Sequence, residues 1–382
     1  MANDLSVLAP KLLAQGLLAL RSANLMPLLV NSDYSMDFAQ KGLVVTIPIP
    51  SAIAAQDVAP ANTPPSTADS NPTQALITLD QWKEAPFYLT DKDQQQAHDG
   101  VIPMQASEAI KALANAMNAH IMSKYVGIYG FHGTPGTTPF ASTTTAATQA
   151  RKVLNRQLAP VDDRRFIMDP DAEANALDLR AFQDASWSMS ADAIQEGTIS
   201  RRLGFDWFMD QQVPTHTAGT ITTGLIAKAS TAQALGLKAI VCTTAATTGA
   251  AALVVGDIIT FAGHAQTYVV TAAATQASAS TDVTVNVEPG LQKALVGSEA
   301  VSVKGTHVCN LALHRDAIGF ASRPLADSGQ GLGNIIEVAA DPITGVALRL
   351  EISREHKRTR FSYDILYGAT LVRPELGCRV AG

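Results

Sequence analysis

The sequence closes with the stretch SREHKRTRFSYDILYGATLVRPELGCRV, residues 353–380. Its first part holds a dense group of basic side chains: Arg354, His356, Lys357, Arg358 and Arg360. Two interpretations of this group are open. It could contact phosphates, which requires no sequence readout, or it could form a strand whose charges pair with acids on neighbouring chains. Strand-forming residues flank the group on both sides, which favours the strand.

The residues just before this stretch strengthen that interpretation. Apolar and polar side chains alternate over 348–353, in the order Leu348, Arg349, Leu350, Glu351, Ile352 and Ser353. A period of two places the apolar residues on one face of a strand. The C-terminal region is therefore predicted to form long strands with one buried face.

The composition limits the classes of protein that the chain can belong to. Its 382 residues carry a net charge of −6, which argues against a surface that binds nucleic acid throughout. Only 16% of the residues are charged, whereas about 25% is usual in soluble domains. Such a chain is expected to bury much of its surface against other subunits. The sequence contains no uninterrupted stretch of about 20 apolar residues, so no membrane-spanning helix is predicted.

The N-terminal region predicts an amphipathic helix and not a signal peptide. Leu13, Leu17 and Leu20 recur at helical spacing, and the start of the chain lacks a basic segment. We expect these leucines to be buried against another chain or against a scaffolding protein. Cys242, Cys309 and Cys378 form no metal-binding spacing and are expected to be buried thiols in a reducing cytoplasm.

Residues 42–90 predict a projecting hairpin. A β-branched segment over 42–52 contains Pro48 and Pro50, which suit only an edge strand or an exposed hairpin. A loop rich in Pro, Ser and Asn follows at 58–72, and then a second strand over 73–90 that includes Trp82. A hairpin of this kind is too thin to stand alone, so its partner is expected to be another molecule.

The middle of the chain predicts mixed α and β structure followed by a β domain. Residues 105–128 give the strongest helical pattern, with apolar positions Ile110, Leu113, Ala114, Met117, Ile121 and Tyr125. The segment 146–219 alternates helical and extended patterns. Short strands split by Gly, Ala, Ser and Thr fill 221–305, which predicts a small antiparallel barrel or sandwich with a hairpin at 255–272.

The search for catalytic or cofactor-binding motifs yields no site. The histidines lack metal-binding spacing, and His314-Arg315-Asp316 is predicted to be a charge cluster at a strand end. The segment Gly329–Gly333 approaches a dinucleotide-binding motif but follows no clear strand, so a loop is predicted. We therefore predict no catalytic, cofactor-binding or metal-binding residue. An enzyme with a dispersed site remains the competing class.

Three segments, in order along the chain, resemble the major capsid proteins of tailed bacteriophages. The first is 195–219, with Gly197-Thr198-Ile199, Arg201-Arg202, Gly204-Phe205-Asp206 and Pro214. The second is 313–325, LHRDAIGFASRPL, and the third combines Tyr367-Gly368 with Arg373-Pro374-Glu375. The best-known member with this pattern is the coat protein of a short-tailed Salmonella phage, which carries a domain inserted into the Hong Kong 97-type capsid fold.

The resemblance implies an α+β fold of the Hong Kong 97 type, with an N-terminal arm, an E-loop hairpin and a spine helix. The implied divisions are an arm at 1–37, the E-loop at 38–100, the spine helix of the peripheral domain at 101–145, the first axial part at 146–220, the inserted β-barrel at 221–305, and the axial and peripheral completion at 306–382.

The resemblance also implies a function in capsid assembly. The chain would form hexamers and pentamers of an icosahedral shell in the host bacterial cytoplasm, with a scaffolding protein and a portal as partners. It would contact packaged double-stranded DNA without sequence specificity, and would need no cofactor and no membrane. A non-viral shell or a structural protein that binds nucleic acid is the alternative. The candidate subunit-contact or interior-facing residues are Arg354, Lys357, Arg358, Arg360, Pro48, Pro50 and Trp82.

Overall fold

A computed structural model gives the architecture of the chain. It describes residues 12–14, 16, 17, 20, 25–33, 44–50, 53, 60, 72–92, 101–184, 196–221, 224–228, 233–244, 251–276, 281–325, 334–341 and 344–382. Of the predicted loop at 58–72 only residues 60 and 72 are described, and the predicted loop at 329–333 lies outside the described residues.

The helices with defined bounds are α1 (Met26–Leu29), α2 (Val101–Met122), α3 (Thr145–Arg156), α4 (Pro170–Asp178) and α5 (Arg180–Gln183). Short 3-10 turns occupy Ser123–Gly127, Arg315–Ala317 and Pro374–Leu376.

The strands are β1 (Val44–Ile49), β2 (Thr73–Thr78), β3 (Gln81–Thr90), β4 (Gly130–His132), β5 (Arg164–Met168), β6 (Asp206–Met209), β7 (Thr215–His216), β8 (Leu225–Ala227), β9 (Ala239–Thr244), β10 (Ala251–Leu253), β11 (Ile258–Phe261), β12 (Tyr268–Val270), β13 (Ala274–Gln276), β14 (Asp282–Glu288), β15 (Ala300–Val303), β16 (His307–His314), β17 (Ile318–Arg323), β18 (Ile335–Ala340), β19 (Ala347–Glu355), β20 (Arg358–Leu371) and β21 (Gly377–Ala381).

The chain divides into two compact units. The first consists of Met1–Ala23, Ser32–Leu113 and Gly319–Val372. The second consists of Asn24–Asn31, Ala114–Ile318 and Arg373–Gly382. Each unit therefore combines segments that are far apart in the sequence, and the division falls within α2.

The first unit is built on a five-stranded sheet in the order β17-β20-β19-β18, with β3 paired to β20. The predicted alternation over β19 is confirmed, since Leu348, Leu350 and Ile352 are all buried. Phe361 of β20 pairs with Ile352 in register and stacks on Phe87 of β3, with ring centroids 5.1 Å apart. Period-two patterning thus gives this sheet one apolar face.

The hairpin predicted from Pro48 and Pro50 is present, with β1 and β2 paired antiparallel and Pro48 opposite Gln74. The prediction of one strand over 73–90 is wrong, because β2 ends at Thr78 and β3 begins at Gln81 and pairs with β20 instead. The break lies against Gly368, where a Cβ would come within 2.1 Å of the Thr78 carbonyl oxygen. The close approach of these two backbones accommodates the change of partner.

The described residues among 12–20 are helical, as predicted. Leu13 and Leu20 are buried within the chain itself, so the expectation that they need another chain is wrong for these two. A Cβ on Gly16 would lie 2.6 Å from Cδ1 of Ile110 and 3.5 Å from Tyr363, both in the same unit. The glycine lets this helical segment approach its own sheet and helix closely.

The long helix predicted over 105–128 is confirmed, with α2 continuing into the 3-10 turn that ends at Gly127. All six of its predicted core positions are buried: Ile110, Leu113, Ala114, Met117, Ile121 and Tyr125. The described residues contain no helix that is both long and apolar enough to cross a membrane.

The second unit contains a six-stranded sheet ordered β4-β21-β16-β5-β6, with β7 also pairing to β16. Aromatic rings fill its core, where Trp207 lies between Phe166, at 4.7 Å, and Phe182, at 5.1 Å between ring centroids. Phe205, from the Gly-Phe-Asp segment, is fully buried against Phe166. That segment therefore contributes to the packing of the sheet.

The β domain predicted over 221–305 contains a closed barrel in the order β11-β12-β14-β9-β8-β15. The predicted hairpin over 255–272 is confirmed by the pairing of Ile258 with Val269 and of Ile259 with Tyr268. In sequence the barrel lies between β7 and β16, and these two strands pair with each other at His216 and His307. The chain therefore leaves and returns to the sheet at adjacent positions.

Candidate subunit-contact surface

The basic group at 354–360 forms the tip of a hairpin. β19 ends at Glu355 and β20 begins at Arg358, and Lys357 in the turn has φ of 57°. The prediction of one continuous strand is therefore wrong at this point. The turn sends the two halves of the group into adjacent antiparallel strands.

Each arginine of the hairpin has an acidic partner in the same chain. Arg354 lies 2.7 Å from Asp91, and Arg360 lies 2.7 Å from Glu84. Arg358 pairs with Glu355 across the turn. The expected acids on neighbouring chains are thus supplied within the chain. Because these pairs offset much of the positive charge, the hairpin is a weaker candidate for phosphate contact than the sequence suggested.

The polar face of the first unit's sheet joins this hairpin to Trp82. The indole Nε1 of Trp82 donates a hydrogen bond of 3.1 Å to Asp364, which also accepts from Arg349 at 2.8 Å. Near the tip, the guanidinium of Arg358 lies 4.5 Å from the ring centroid of Tyr88. One face of the sheet therefore combines paired charges with two aromatic rings.

Trp82 and Tyr88 both belong to β3. Among the described residues this strand pairs with β20 on one side and with no strand on the other. Trp82 is 63% exposed and Tyr88 is 45% exposed. Pro86 lies between them, as expected for an edge strand. Aromatic side chains are enriched in protein contact surfaces, and an edge strand offers unpaired backbone groups to a partner, so β3 is a candidate contact strand.

Pro48 and Pro50 lie elsewhere in the first unit. Both prolines are exposed on the β1–β2 hairpin. The last residue of β2, Thr78, lies against Gly368, which is near the C-terminal end of β20 and therefore far along this strand from Arg358. The structure therefore places Trp82 and the arginines on one sheet but does not gather the two prolines with them.

A buried polar cluster in the second unit, centred on Arg379 of β21, was not predicted from the sequence. Its guanidinium donates to the carbonyl oxygens of Ile128 and Gly256, each at 2.8 Å, and of Val126 at 3.1 Å. It also lies 5.1 Å from the ring centroid of Tyr125. Burial lowers the pKa of Arg379 to about 10, so the side chain keeps its charge at neutral pH.

Two histidines flank Arg379 in this cluster. Nε2 of His216 lies 2.9 Å from the buried carboxylate of Asp257, to which it donates, and its Nδ1 lies 3.2 Å from the Tyr125 hydroxyl. Nδ1 of His307 bonds the Gly305 carbonyl oxygen at 2.7 Å, and burial lowers the His307 pKa. Thr-His pairs at the two ends of the β segment are the only trace of this cluster in the sequence.

The three cysteines are buried thiols whose pKa values are raised. Cys242, Cys309 and Cys378 are buried and free, as predicted. Burial raises the pKa of Cys309 to about 11 and that of the other two to about 12. The part of the chain that the structure describes contains no cluster of His, Cys, Asp and Glu suited to a metal ion.

Comparison with solved structures identifies the fold. A structure of Mycobacterium phage Che8 matches with a TM-score of 0.51 and 16% identity, covering 92% of this chain and 89% of that one. The capsid structure of the cyanophage P-SCSP1u matches with a TM-score of 0.51 and 12% identity, covering 92% and 85%. No family model and no curated protein matches the sequence. The chain has the fold of a tailed-phage capsid subunit, as the three resembling segments implied.

Proposed function

We propose that this chain is the major capsid protein of a tailed double-stranded DNA bacteriophage and assembles into the icosahedral shell that encloses the genome. The observation that carries the proposal is a fold shared over 92% of the chain with two phage structures, one of them a capsid structure. The three resembling segments, which were chosen from the sequence alone, support the same assignment.

The proposal assigns a part of the Hong Kong 97-type fold to each region. The N-terminal arm is 1–37, the E-loop is 38–100, the spine helix is in 101–145, the inserted domain is 221–305, and the axial and peripheral parts fill 146–220 and 306–382. The pairing of β1 with β2 supports the E-loop assignment. The pairing of His216 with His307 supports an insertion, because removing the barrel would leave adjacent chain ends.

The exposed surfaces of the first unit support assembly with copies of the same chain. Val44, Leu76 and Trp82 are apolar and exposed, and Glu84, two residues from Trp82, is paired with Arg360. Apolar contacts with a rim of satisfied charges are typical of subunit interfaces. We propose hexamers and pentamers as the assembly units, with a scaffolding protein and a portal as partners in the host cytoplasm. The role is structural and not enzymatic.

Electron microscopy of the purified full-length chain tests the proposal. Expression alone and with the scaffolding protein of the same phage is expected to give closed shells or ring-shaped oligomers of uniform size. Analytical ultracentrifugation of the same material measures the fraction assembled. Monomers alone in both preparations, from a chain with a cooperative thermal transition, would contradict the assignment. Aggregates of irregular size count against it as well.

A further inference from the structure

A cavity on the second unit has the lining of an anion-binding site. Its volume is about 320 Å³, and α3, the β11–β12 loop and the segment before β15 contribute its walls. The side chains with basic groups are Arg156, His264 and Lys293, and no acid is among the lining residues. Among the described residues, no acid forms an ion pair with Arg156 or Lys293.

The β11–β12 loop brings two of these groups together. Gly263 has φ of 79°, a conformation that glycine adopts without strain. A Cβ at this position would lie 3.8 Å from Nζ of Lys293, so the ammonium group sits over the turn. Burial lowers the pKa of the next residue, His264, and Lys293 lowers it further, whereas Glu299 raises it. The loop thus holds the His264 imidazole near the Lys293 ammonium group.

Tyr268 and His264 lie within hydrogen-bond distance of each other. The Tyr268 hydroxyl accepts from the Gln292 backbone N–H at 3.1 Å and lies 3.0 Å from Nδ1 of His264. This contact restrains the imidazole ring in the wall of the cavity. The nearby Glu299 accepts from Val296 and Gly297 backbone N–H groups.

We infer that this cavity, lined by Arg156, His264 and Lys293, binds a phosphate-bearing ligand of nucleotide size. Arg156 and Lys293 are cationic donors, and a guanidinium with an ammonium group is the usual protein environment of a phosphate. The cavity is at the lower end of the range for small-molecule sites, and is larger than one phosphate requires. Ala265 adds apolar surface for the remainder of the ligand.

The ligand's phosphate comes either from nucleic acid or from a free nucleotide. The assignment differs from the basic hairpin at 354–360, where every arginine already has an acid. It also goes beyond the proposed function, since a binding measurement on the chain does not depend on shell formation. Failure of the phosphate-binding test would therefore leave the capsid proposal intact, and failure of shell assembly would leave the phosphate-binding proposal intact.

Isothermal titration calorimetry with the full chain tests the site, using inorganic phosphate, dAMP and a short DNA duplex as probes. We expect dAMP to bind more tightly than phosphate, and the double variant R156Q/K293Q to lose about tenfold or more in affinity. The double variant K111Q/R180Q removes the same charge from exposed helix positions and is expected to change affinity less than about twofold. Thermal unfolding confirms that both variants fold.

The duplex distinguishes the two sources. Duplex binding that falls steeply with salt and is weakened by R156Q/K293Q identifies nucleic acid as the source, whereas dAMP binding without duplex binding identifies a free nucleotide. Absence of binding for all three probes overturns the proposal. Equal binding of the probes to R156Q/K293Q and to the native chain overturns it too, because the cations would then have no role.

Discussion

His216 and His307 pair in register across β7 and β16, and their ring centroids lie 5.4 Å apart. The first is the last residue of β7 before the barrel, and the second begins the strand that follows it. Asp257 and Gly256, in the turn before β11, bond to His216 and Arg379 respectively. One buried cluster therefore joins the barrel to the six-stranded sheet.

Replacing residues 217–306 with a short Gly-Ser turn tests how far the barrel and the sheet depend on each other. The remainder is expected to fold, because His216 and His307 are already adjacent. Its melting temperature should fall, since Tyr129, Phe131 and Ala381 lose their contacts with Ile258 and Val269. Circular dichroism and calorimetry measure both outcomes. An unchanged melting temperature would mean that the barrel contributes nothing to the sheet.

Arg379→Met should be among the most destabilising single changes in the second unit. It leaves the buried carbonyl groups of Val126, Ile128 and Gly256 without this donor, at a cost in the free energy of unfolding of about 3 kcal/mol or more. Denaturant unfolding measures the difference. Arg201→Gln is the control, because Arg201 is exposed and its pairing with Asp206 contributes about 1 kcal/mol or less. Equal effects would contradict the role of Arg379.

The stability of the second unit should depend on pH through His307. Burial lowers the pKa of His307 from its ordinary 6.5, and Arg379 and His216 lower it further, against opposing effects of Gly305 and Asp257. The unfolded state therefore binds the proton more readily. Stability is full above pH 6.5 and decreases as the pH falls toward the lowered pKa, by at most about 1.4 kcal/mol per pH unit.

Comparing unfolding of the native chain and His307→Gln between pH 4 and pH 8 measures this contribution, and the variant should show a shallower slope. His132 and His264 also have pKa values lowered by burial, so part of the slope remains. Identical slopes for the two proteins would show that His307 does not titrate as inferred.

Gly368→Ala should destabilise the first unit through a steric clash. The new Cβ would lie 2.1 Å from the Thr78 carbonyl oxygen, and the backbones can separate only at a cost of about 1–3 kcal/mol. Gly305→Ala is the matched control, since its Cβ would meet only Pro135, at 3.8 Å. Thermal unfolding of both variants measures the difference, and a Gly368 variant as stable as the control would contradict the packing described.

Leu76→Asp should block assembly while leaving the subunit folded. Leu76 is 50% exposed on the β1–β2 hairpin, so the change should alter stability by no more than about 0.5 kcal/mol. A charge placed in an apolar subunit contact should prevent shells from forming. Sedimentation and microscopy measure assembly. Gln74→Asp places the same charge two positions away on the same face of β2. Normal assembly of both variants would show that this face of β2 is not a subunit contact.

Elements with a strong local period could be predicted from the amino-acid sequence. The core face of α2, from Ile110 to Tyr125, follows from helical spacing, and the buried face of β19 follows from strict alternation. The barrel follows from short β-branched segments split by small residues. These features are local, because a run of side chains and its period define which face becomes buried.

Partners that are far apart in the sequence became visible only in the folded chain. The break between β2 and β3 lies against Gly368, nearly three hundred positions later, and the acids that neutralise Arg354 and Arg360 come from β3 and its end. No local sequence pattern distinguishes Arg379 from other strand arginines, because the three carbonyl oxygens that it binds come from distant parts of the chain. Such contacts arise from chain topology, which brings together residues whose separation in sequence carries no periodic signal.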